Sequence, residues 1–457
     1  MLRVAVIGSG PSGVYTAQSL IEQQAVPDVE VYVLDRLPCP YGLVRYGVAP
    51  DHEKIKSLQN NLRMVLEHPR VHFLGNVEAG APGLGIEELR EIFDAVVFCV
   101  GAATDRHLGV PGEELPGSHP ATEFVAWYSA HPDAAAVRFT LAARSAVVIG
   151  VGNVAVDVVR MLARGAAELA ATDMPQGPLG ALADSRVEDV WMVGRRGPSQ
   201  AKFTTKELRE LGSLPDTEVC VRPEELALDP AYRDPGELPA VARRNVAVLR
   251  AWAERTAAGP ADAAPAARAR RRIHLRFFLR PAEVLGDASG VRAVRFERTA
   301  PDGRGGVAGT GEFEEIQGQL VLRSVGYRGT PQPGLPFDEA TGTVPHLAGR
   351  VLRDGAPLPG VYVAGWIKRG PTGVIGTNRP CAKETASSLL ADAPMLAERH
   401  TAADPVAALA RAGQQPVPWP GWLAIEAAEA AWGHGLGRGT VKLPDWAGLL
   451  AAAQANG

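Results

Sequence analysis

An α/β fold with two Rossmann-like dinucleotide-binding units is predicted by two features of the sequence. Short β-branched runs alternate with longer helix-like stretches along most of the chain. In addition, a strand–glycine–helix pattern occurs once at residue 8 and again at residue 150. At 457 residues the chain is long enough for more than one hydrophobic core.

The first run, Val4–Ile7, leads straight into Gly8-Ser9-Gly10-Pro11-Ser12-Gly13. In such a motif Gly8 allows the tight turn and Gly10 lets the backbone approach a pyrophosphate. Gly13 lets the following helix pack on the sheet, with its positive end facing the phosphate charge. The second run, Val29–Leu34, ends in Asp35, an acid placed to take ribose hydroxyls. A third run, Ala95–Val100, completes the first set of buried strands.

The fourth run, Ala146–Ile149, precedes Gly150-Val151-Gly152-Asn153-Val154-Ala155, in which Ala155 replaces the third glycine. The fifth, Val190–Val193, ends in Gly194-Arg195-Arg196 rather than in an acid. An acid there would repel a 2′-phosphate, whereas guanidinium groups bind phosphate through paired hydrogen bonds. The second motif therefore points to NADP, and the first, with its acid, to a different dinucleotide, FAD. The plainer alternative is that Arg195 and Arg196 form a solvated loop pair. A chain that binds both dinucleotides most plausibly moves a hydride from nicotinamide to flavin. Residues 256–272 and 401–418 are rich in Ala and Pro and read as surface connections, and 301–311, with its glycines, as a hairpin tip or loop.

Several function classes fall away on composition. The formal net charge of −4 argues against a whole-surface nucleic-acid binder. Cys39, Cys99, Cys220 and Cys381 are far apart, which gives no disulfide framework, zinc site or CxxC pair, so no metal is expected. No long uncharged apolar run and no leader segment is visible, so a soluble, cytoplasmic protein without membrane insertion is expected.

Three further segments are more specific than the glycines. They are Leu37-Pro38-Cys39-Pro40-Tyr41-Gly42-Leu43-Val44-Arg45-Tyr46-Gly47-Val48-Ala49-Pro50-Asp51-His52, then Val193–Pro198 with Phe203–Leu211 beyond it, and Gly365–Asn378. With the RSVGYR stretch at 323–328, these segments resemble the adrenodoxin-reductase-like ferredoxin–NADP reductases, especially actinobacterial members, from about residue 3 to 390. The resemblance implies a fold like that of the disulfide-reductase flavoproteins, with the NADP domain inserted in the FAD domain. The expected FAD domain comprises residues 1–104 and 324–457, the latter including a less distinctive tail, and the NADP domain residues 105–323. The chain crosses between them near 98–102 and 323–328. Relatives with a dithiol site usually end the FAD region in Gly-Asp. Here the pair is Gly365-Trp366, which suits a stacking role for the indole.

By the same resemblance, FAD contacts come from Ser12, Asp35, Leu43, Trp366 and the Gly373-Val374-Ile375 backbone. NADP contacts come from Arg106, Asn153, Val154, Arg195, Arg196, Glu207 and Gly373. His52 and Glu210 are the candidate catalytic residues, positioning the nicotinamide carboxamide and handling the flavin proton. Each has a structural alternative: Trp366 as a core aromatic, Asn153 as a first-turn helix residue, His52 as a structural loop histidine. Thr204-x-x-Glu207 also reads as a capping box.

The implied activity is hydride uptake from NADPH by FAD and single-electron delivery to a ferredoxin, possible acceptors downstream including cytochrome P450 systems. A flavin disulfide reductase, another FAD/NADPH oxidoreductase and a non-catalytic NADP(H)-sensing protein are the alternatives. An acidic iron–sulfur ferredoxin needs a local positive patch. The candidates are Arg243, Arg244 and Arg250, or the run Arg268, Arg270, Arg271, Arg272 and Arg276, with Arg243 and Arg244 preferred.

Overall fold

The computed structural model describes residues 1–82, 84–258, 270–396 and 401–455. Two compact units emerge: residues 1–104 with 129–135 and 326–457, and residues 105–128 with 136–325.

In the first unit Leu2–Ile7 lies at the centre of an eight-stranded sheet because all its positions but Arg3 are buried, as a strand covered on both faces requires. It pairs in parallel with Val29–Leu34 on one side and Ala95–Phe98 on the other. Val71–Gly75 and the short Val417–Pro418 extend one edge, while Ala356–Val363, Arg350–Arg353 and His346–Leu347 extend the other. The glycine turn sits at the carboxyl end of the central strand, where the order reverses and ligands bind in open sheets. The helix Pro11–Glu22 starts there with Pro at its first position, where a missing N–H costs nothing. It buries Val14, Tyr15, Ala17 and Leu20 against the helix Asn378–Leu396. Full burial of a side chain such as Leu20 stabilises by about 1.5–3 kcal/mol.

The second unit repeats the pattern in a six-stranded sheet, ordered Ser118–Pro120, Leu320–Arg323, Ser145–Ile149, Asp189–Val193, Arg271–Arg276, Thr217–Val221. A three-stranded antiparallel sheet, Leu279–Asp287, Gly290–Pro301 and Val307–Gln317, packs beside it through Val284, Val294, Phe296 and Ile316. The expected hairpin tip narrows to residues 302–306, because Pro301 already pairs with Val307. All five runs read as strands form strands, the third ending at Phe98 rather than Val100.

Three readings need correction. Segment 129–135 belongs with the first unit rather than the inserted domain. Asp133 there holds Arg36 and accepts a hydrogen bond from the Trp446 indole at 2.9 Å, and His131 packs on Tyr46. Segment 401–418 is not merely a connection, since Asp404 caps a helix Pro405–Arg411 that buries Leu409. In 256–272, the start closes the helix Ala240–Ala258 and Arg271–Arg272 open a strand, while 259–269, including Arg268, lies outside the described residues.

Candidate functional site: two glycine turns and the groups around them

In the first unit Gly8 takes φ +107°, and a Cβ there would lie 2.6 Å from the carbonyl oxygen of Cys99. Gly10 ends the turn and caps the helix, with Ser12 and Gly13 in its first turn. Asp35 faces the same turn. Its Oδ2 accepts from the Ser9 N–H at 2.8 Å and the Ser9 hydroxyl at 2.5 Å, and its Oδ1 from the Leu37 N–H at 2.9 Å. Burial pushes the Asp35 carboxyl above its ordinary value, and the Ser9 hydrogen bonds oppose that shift.

Two buried polar atoms here are poorly satisfied among the described residues, the Ser12 hydroxyl, which has only the weak Cys99 thiol beside it, and the Trp366 indole N–H, which has no hydrogen-bond partner. Buried groups in that condition are uncommon and cost about 1–3 kcal/mol each, so they fit a site meant for a polar ligand. Gly365, at φ +79°, brings the Trp366 segment against Ser12, where a Cβ would lie 2.3 Å from the serine oxygen. The Trp366 ring lies 5.5 Å from that of Tyr327 and is half-buried, so it is not a core aromatic. The following loop exposes Gly373 and Val374, with Ile375 partly buried. Arg369 ties it down by donating to the Thr377 hydroxyl at 3.1 Å and to the side-chain amide oxygen of Asn378 at 2.9 Å.

The Tyr41-to-His52 segment is fixed from below. Leu43 is 40% exposed, whereas Arg45 is buried and paired with buried Glu429 at 2.6 Å. Buried Lys442 donates to the Arg45 carbonyl at 2.6 Å, and Tyr41 meets Trp422 edge-on. Thus the tail that looked indistinct in sequence clamps the most specific motif in the chain. The residues that do so are Glu429, in the Ala- and Trp-rich helix Trp419–Gly435, and Lys442, in the loop after it. His52 is buried at the start of a short helix, Glu53–Lys56.

In the second unit Gly150 takes φ +143° against the Ser324 carbonyl, and Gly152 caps the helix Asn153–Ala163 with open space around its α-carbon. Val154 is half-buried in the first turn. The guanidiniums of Arg195 and Arg196 make no hydrogen bond or ion pair among the described residues, while their carbonyls accept from Thr299 and Phe278. They stand at the end of the strand Asp189–Val193, held out rather than used internally. Arg106 is exposed in a segment anchored on both sides. Asp105 accepts from Thr122, and Glu113 accepts from the Leu108 and Gly109 N–H groups while pairing with Arg323 at 2.9 Å.

The capping box forms only in part. The Glu207 N–H donates to Thr204 Oγ1 at 3.4 Å, but the Thr204 N–H donates to Asn153 Oδ1 at 2.8 Å. Asn153 is therefore more than a first-turn residue, and the Glu207 carboxylate turns instead to Arg160, as does Glu210.

The basic candidates divide cleanly. Arg271 is buried and donates to the carbonyls of Ala163, Arg164 and Val187; Arg272 pairs with Asp189; Arg276 is buried against Glu225 and Glu314. Those three arginines serve the structure, while Arg270 is exposed and Arg268 lies outside the described residues. Arg250 stacks on Tyr232. Arg243 is exposed, and Arg244 lines an open groove with Thr205, Lys206, Arg209, Glu210 and Ser213. Burial pushes the thiols of Cys39 and Cys99 up to about 11 and about 12, the reverse of a reactive dithiol.

Comparison with known proteins agrees with this geometry. The pyridine nucleotide-disulphide oxidoreductase family matches residues 2–192. NADPH-ferredoxin reductase FprA of Mycobacterium tuberculosis is 44% identical over 98% of this chain and 98% of its own. The chain belongs to the adrenodoxin-reductase-like ferredoxin–NADP reductases. Human mitochondrial NADPH:adrenodoxin oxidoreductase, another relative, is 40% identical over 97% of this chain and 90% of its own. The structure of M. tuberculosis FprA in complex with NADPH matches with a TM-score of 0.90 at 43% identity, over 99% of both chains. Among the described residues no helix is long and apolar enough to cross a membrane.

Proposed function

We propose that this protein is an FAD-dependent NADPH:ferredoxin oxidoreductase. The observation that carries the reading is the pair of glycine turns with opposite polar endings, an internally hydrogen-bonded acid at one and, at the other, two guanidiniums without a partner among the described residues. FAD is assigned to the first unit, through Gly8, Gly10, Ser12, Gly13, Asp35, Leu43, Trp366, Gly373, Val374 and Ile375. When bound it accepts two electrons together and returns them one at a time. NADPH is assigned to the second unit, through Arg106, Gly150, Gly152, Asn153, Val154, Arg195, Arg196 and Glu207. Arg195 and Arg196 bind the 2′-phosphate, and the helix Asn153–Ala163 directs its amino end at the pyrophosphate. His52 and Glu210 orient the nicotinamide and handle a proton, a modest contribution because hydride transfer itself needs no acid at carbon.

The partner is an acidic iron–sulfur ferredoxin and the setting cytoplasmic. Exposed Arg243 and Arg244, the latter at the groove with Lys206 and Arg209, supply its docking charge. The purified protein should be yellow, be bleached by NADPH, and reduce cytochrome c only when ferredoxin is added. A colourless protein that takes up no flavin overturns the reading. Reversing Arg243 and Arg244 to Glu should weaken ferredoxin-dependent turnover and flatten its salt dependence, with ferricyanide reduction unchanged, since screening acts within about 8–10 Å at physiological salt. Survival of both turnover and salt response would move the docking face elsewhere.

A further inference from the structure

Arg160 is 0% exposed in the middle of the helix Asn153–Ala163, amid Val156, Val159, Met161 and Leu162. Its guanidinium splits between acids. Nη2 meets Asp157 at 2.8 Å, while Nη1 meets Glu210 at 3.2 Å and Glu207 at 3.5 Å. Such a cluster is a poor device for stability, because desolvation offsets most of the attraction and an apolar residue would pack as well. Only a planar fork reaches three carboxylates in two directions, which a lysine point charge does not.

The placement is equally telling. Arg160 lies seven residues beyond Asn153, two turns along on the same helical face. Asn153 holds the Thr204 N–H at the start of the helix Thr205–Leu211, and Arg160 holds Glu207 and Glu210 further along it. The two helices are therefore joined at two points. Glu210 is gripped on both oxygens, Oε2 by Arg160 and Oε1 by Lys206 at 3.6 Å, and stays 27% exposed at the groove. Glu207 is nearly closed off.

We propose that Arg160 is a positioning residue for NADPH oxidation. It fixes Glu207 and Glu210 in register with the helix whose amino end takes the pyrophosphate, so one rigid element sets both nucleotide binding and nicotinamide presentation. The inference rests on the assignment of Glu207 and Glu210 to the nucleotide.

The test uses the FAD-loaded enzyme and stopped-flow reduction by NADPH, beside calorimetric NADP+ binding and thermal unfolding. Arg160→Met should lower the limiting reduction rate by about tenfold or more, as small misplacements of reacting groups do. KM should move little and NADP+ affinity should stay within about threefold, the size of a small binding effect. Arg160→Lys should recover part of the rate. In a Glu207→Gln/Glu210→Gln background, Arg160→Met should have no further effect on the rate. If Arg160→Met does not fold, Arg160→Lys carries the test, and a wild-type rate in that variant overturns the proposal. So does a rate loss in Arg160→Met that Lys does not relieve, or one matched by an equal rise in KM. Unchanged reduction in the Glu207→Gln and Glu210→Gln variants would sink the assignment of the glutamates itself. Slowed glutamate variants with an unaffected Arg160→Met would sink only the role given to Arg160.

Discussion

In the first unit the strand beyond the glycine turn ends in Asp35, whose carboxylate is already engaged by Ser9 and Leu37. In the second unit the equivalent strand ends in Arg195 and Arg196, whose guanidiniums have no partner among the described residues. The backbone devices are the same: a positive-φ glycine pressed on a carbonyl, then a helix amino terminus. What differs is how much of the site the protein satisfies by itself. The first turn is enclosed by Gly365, Ser12 and Trp366 and suits a group that stays bound. The second leaves Gly152 and both arginines open and suits a substrate that exchanges.

The largest expected effect comes from closing the enclosed site. Gly365→Val forces a β-branched residue to φ +79° and drives its side chain onto Ser12 Oγ. Backbone strain of about 1–3 kcal/mol adds to the clash, so FAD content after purification should fall to about a tenth or less. Full flavin occupancy, read from the visible spectrum, would mean the first turn is as tolerant as the second.

Next comes the exposed charge. Removing both Arg195 and Arg196 as alanines should weaken NADPH binding by roughly 1.5–3 kcal/mol per guanidinium, with NADH affected far less. Equal losses in KM for the two nucleotides would make these arginines structural and erase the contrast with Asp35.

Gly152→Ala sharpens the comparison at lower cost. No atom lies within 4 Å of the added methyl, so unfolding temperature and FAD content should be unchanged. The methyl would instead meet the nucleotide, raising Kd for NADP+ by about tenfold, or ~1.4 kcal/mol. An unaltered Kd would show that the pyrophosphate does not approach this glycine.

The smallest effect separates partnered arginines from open ones. Burial raises the Asp189 carboxyl, but hydrogen bonds from Arg272 and His274 prevail and hold it below its ordinary value of 3.8. Stability from the pair is therefore present above that value and lost as pH falls through the lowered one. Arg272 is half-exposed, so Arg272→Ala should cost only about 0.2–1 kcal/mol at neutral pH, with the loss vanishing once Asp189 is protonated. A change in ferredoxin-dependent turnover instead would return this arginine to the docking face.

The parts legible in sequence were those with short-range logic. Alternating runs located the strands, and the spacing of glycines and terminal residues located both turns. What stayed hidden depended on contacts between distant residues. Glu429 and Lys442 gave no local sign that they would meet Arg45, and nothing local marked Arg160 as the anchor of Glu207 and Glu210. Charge density in the arginine run says nothing of partners either: Asp189 takes Arg272, and Glu225 and Glu314 take Arg276, all from distant segments.

The order of strands in the first sheet also governs how the chain is made. Ala95–Phe98 receives its outer neighbour from Ala356–Val363, with the whole second unit translated in between. At about 5–20 residues per second, that edge waits on the order of tens of seconds on the ribosome. A buried, apolar strand edge left open so long is a template for pairing with other chains. Soluble yield in a cell should thus follow translation speed and chaperone supply more than the stability of the finished protein. Nascent chains arrested before residue 356 should show protease-sensitive cleavage in residues 1–98 while 105–325 is protected; equal protection of both would remove this bottleneck.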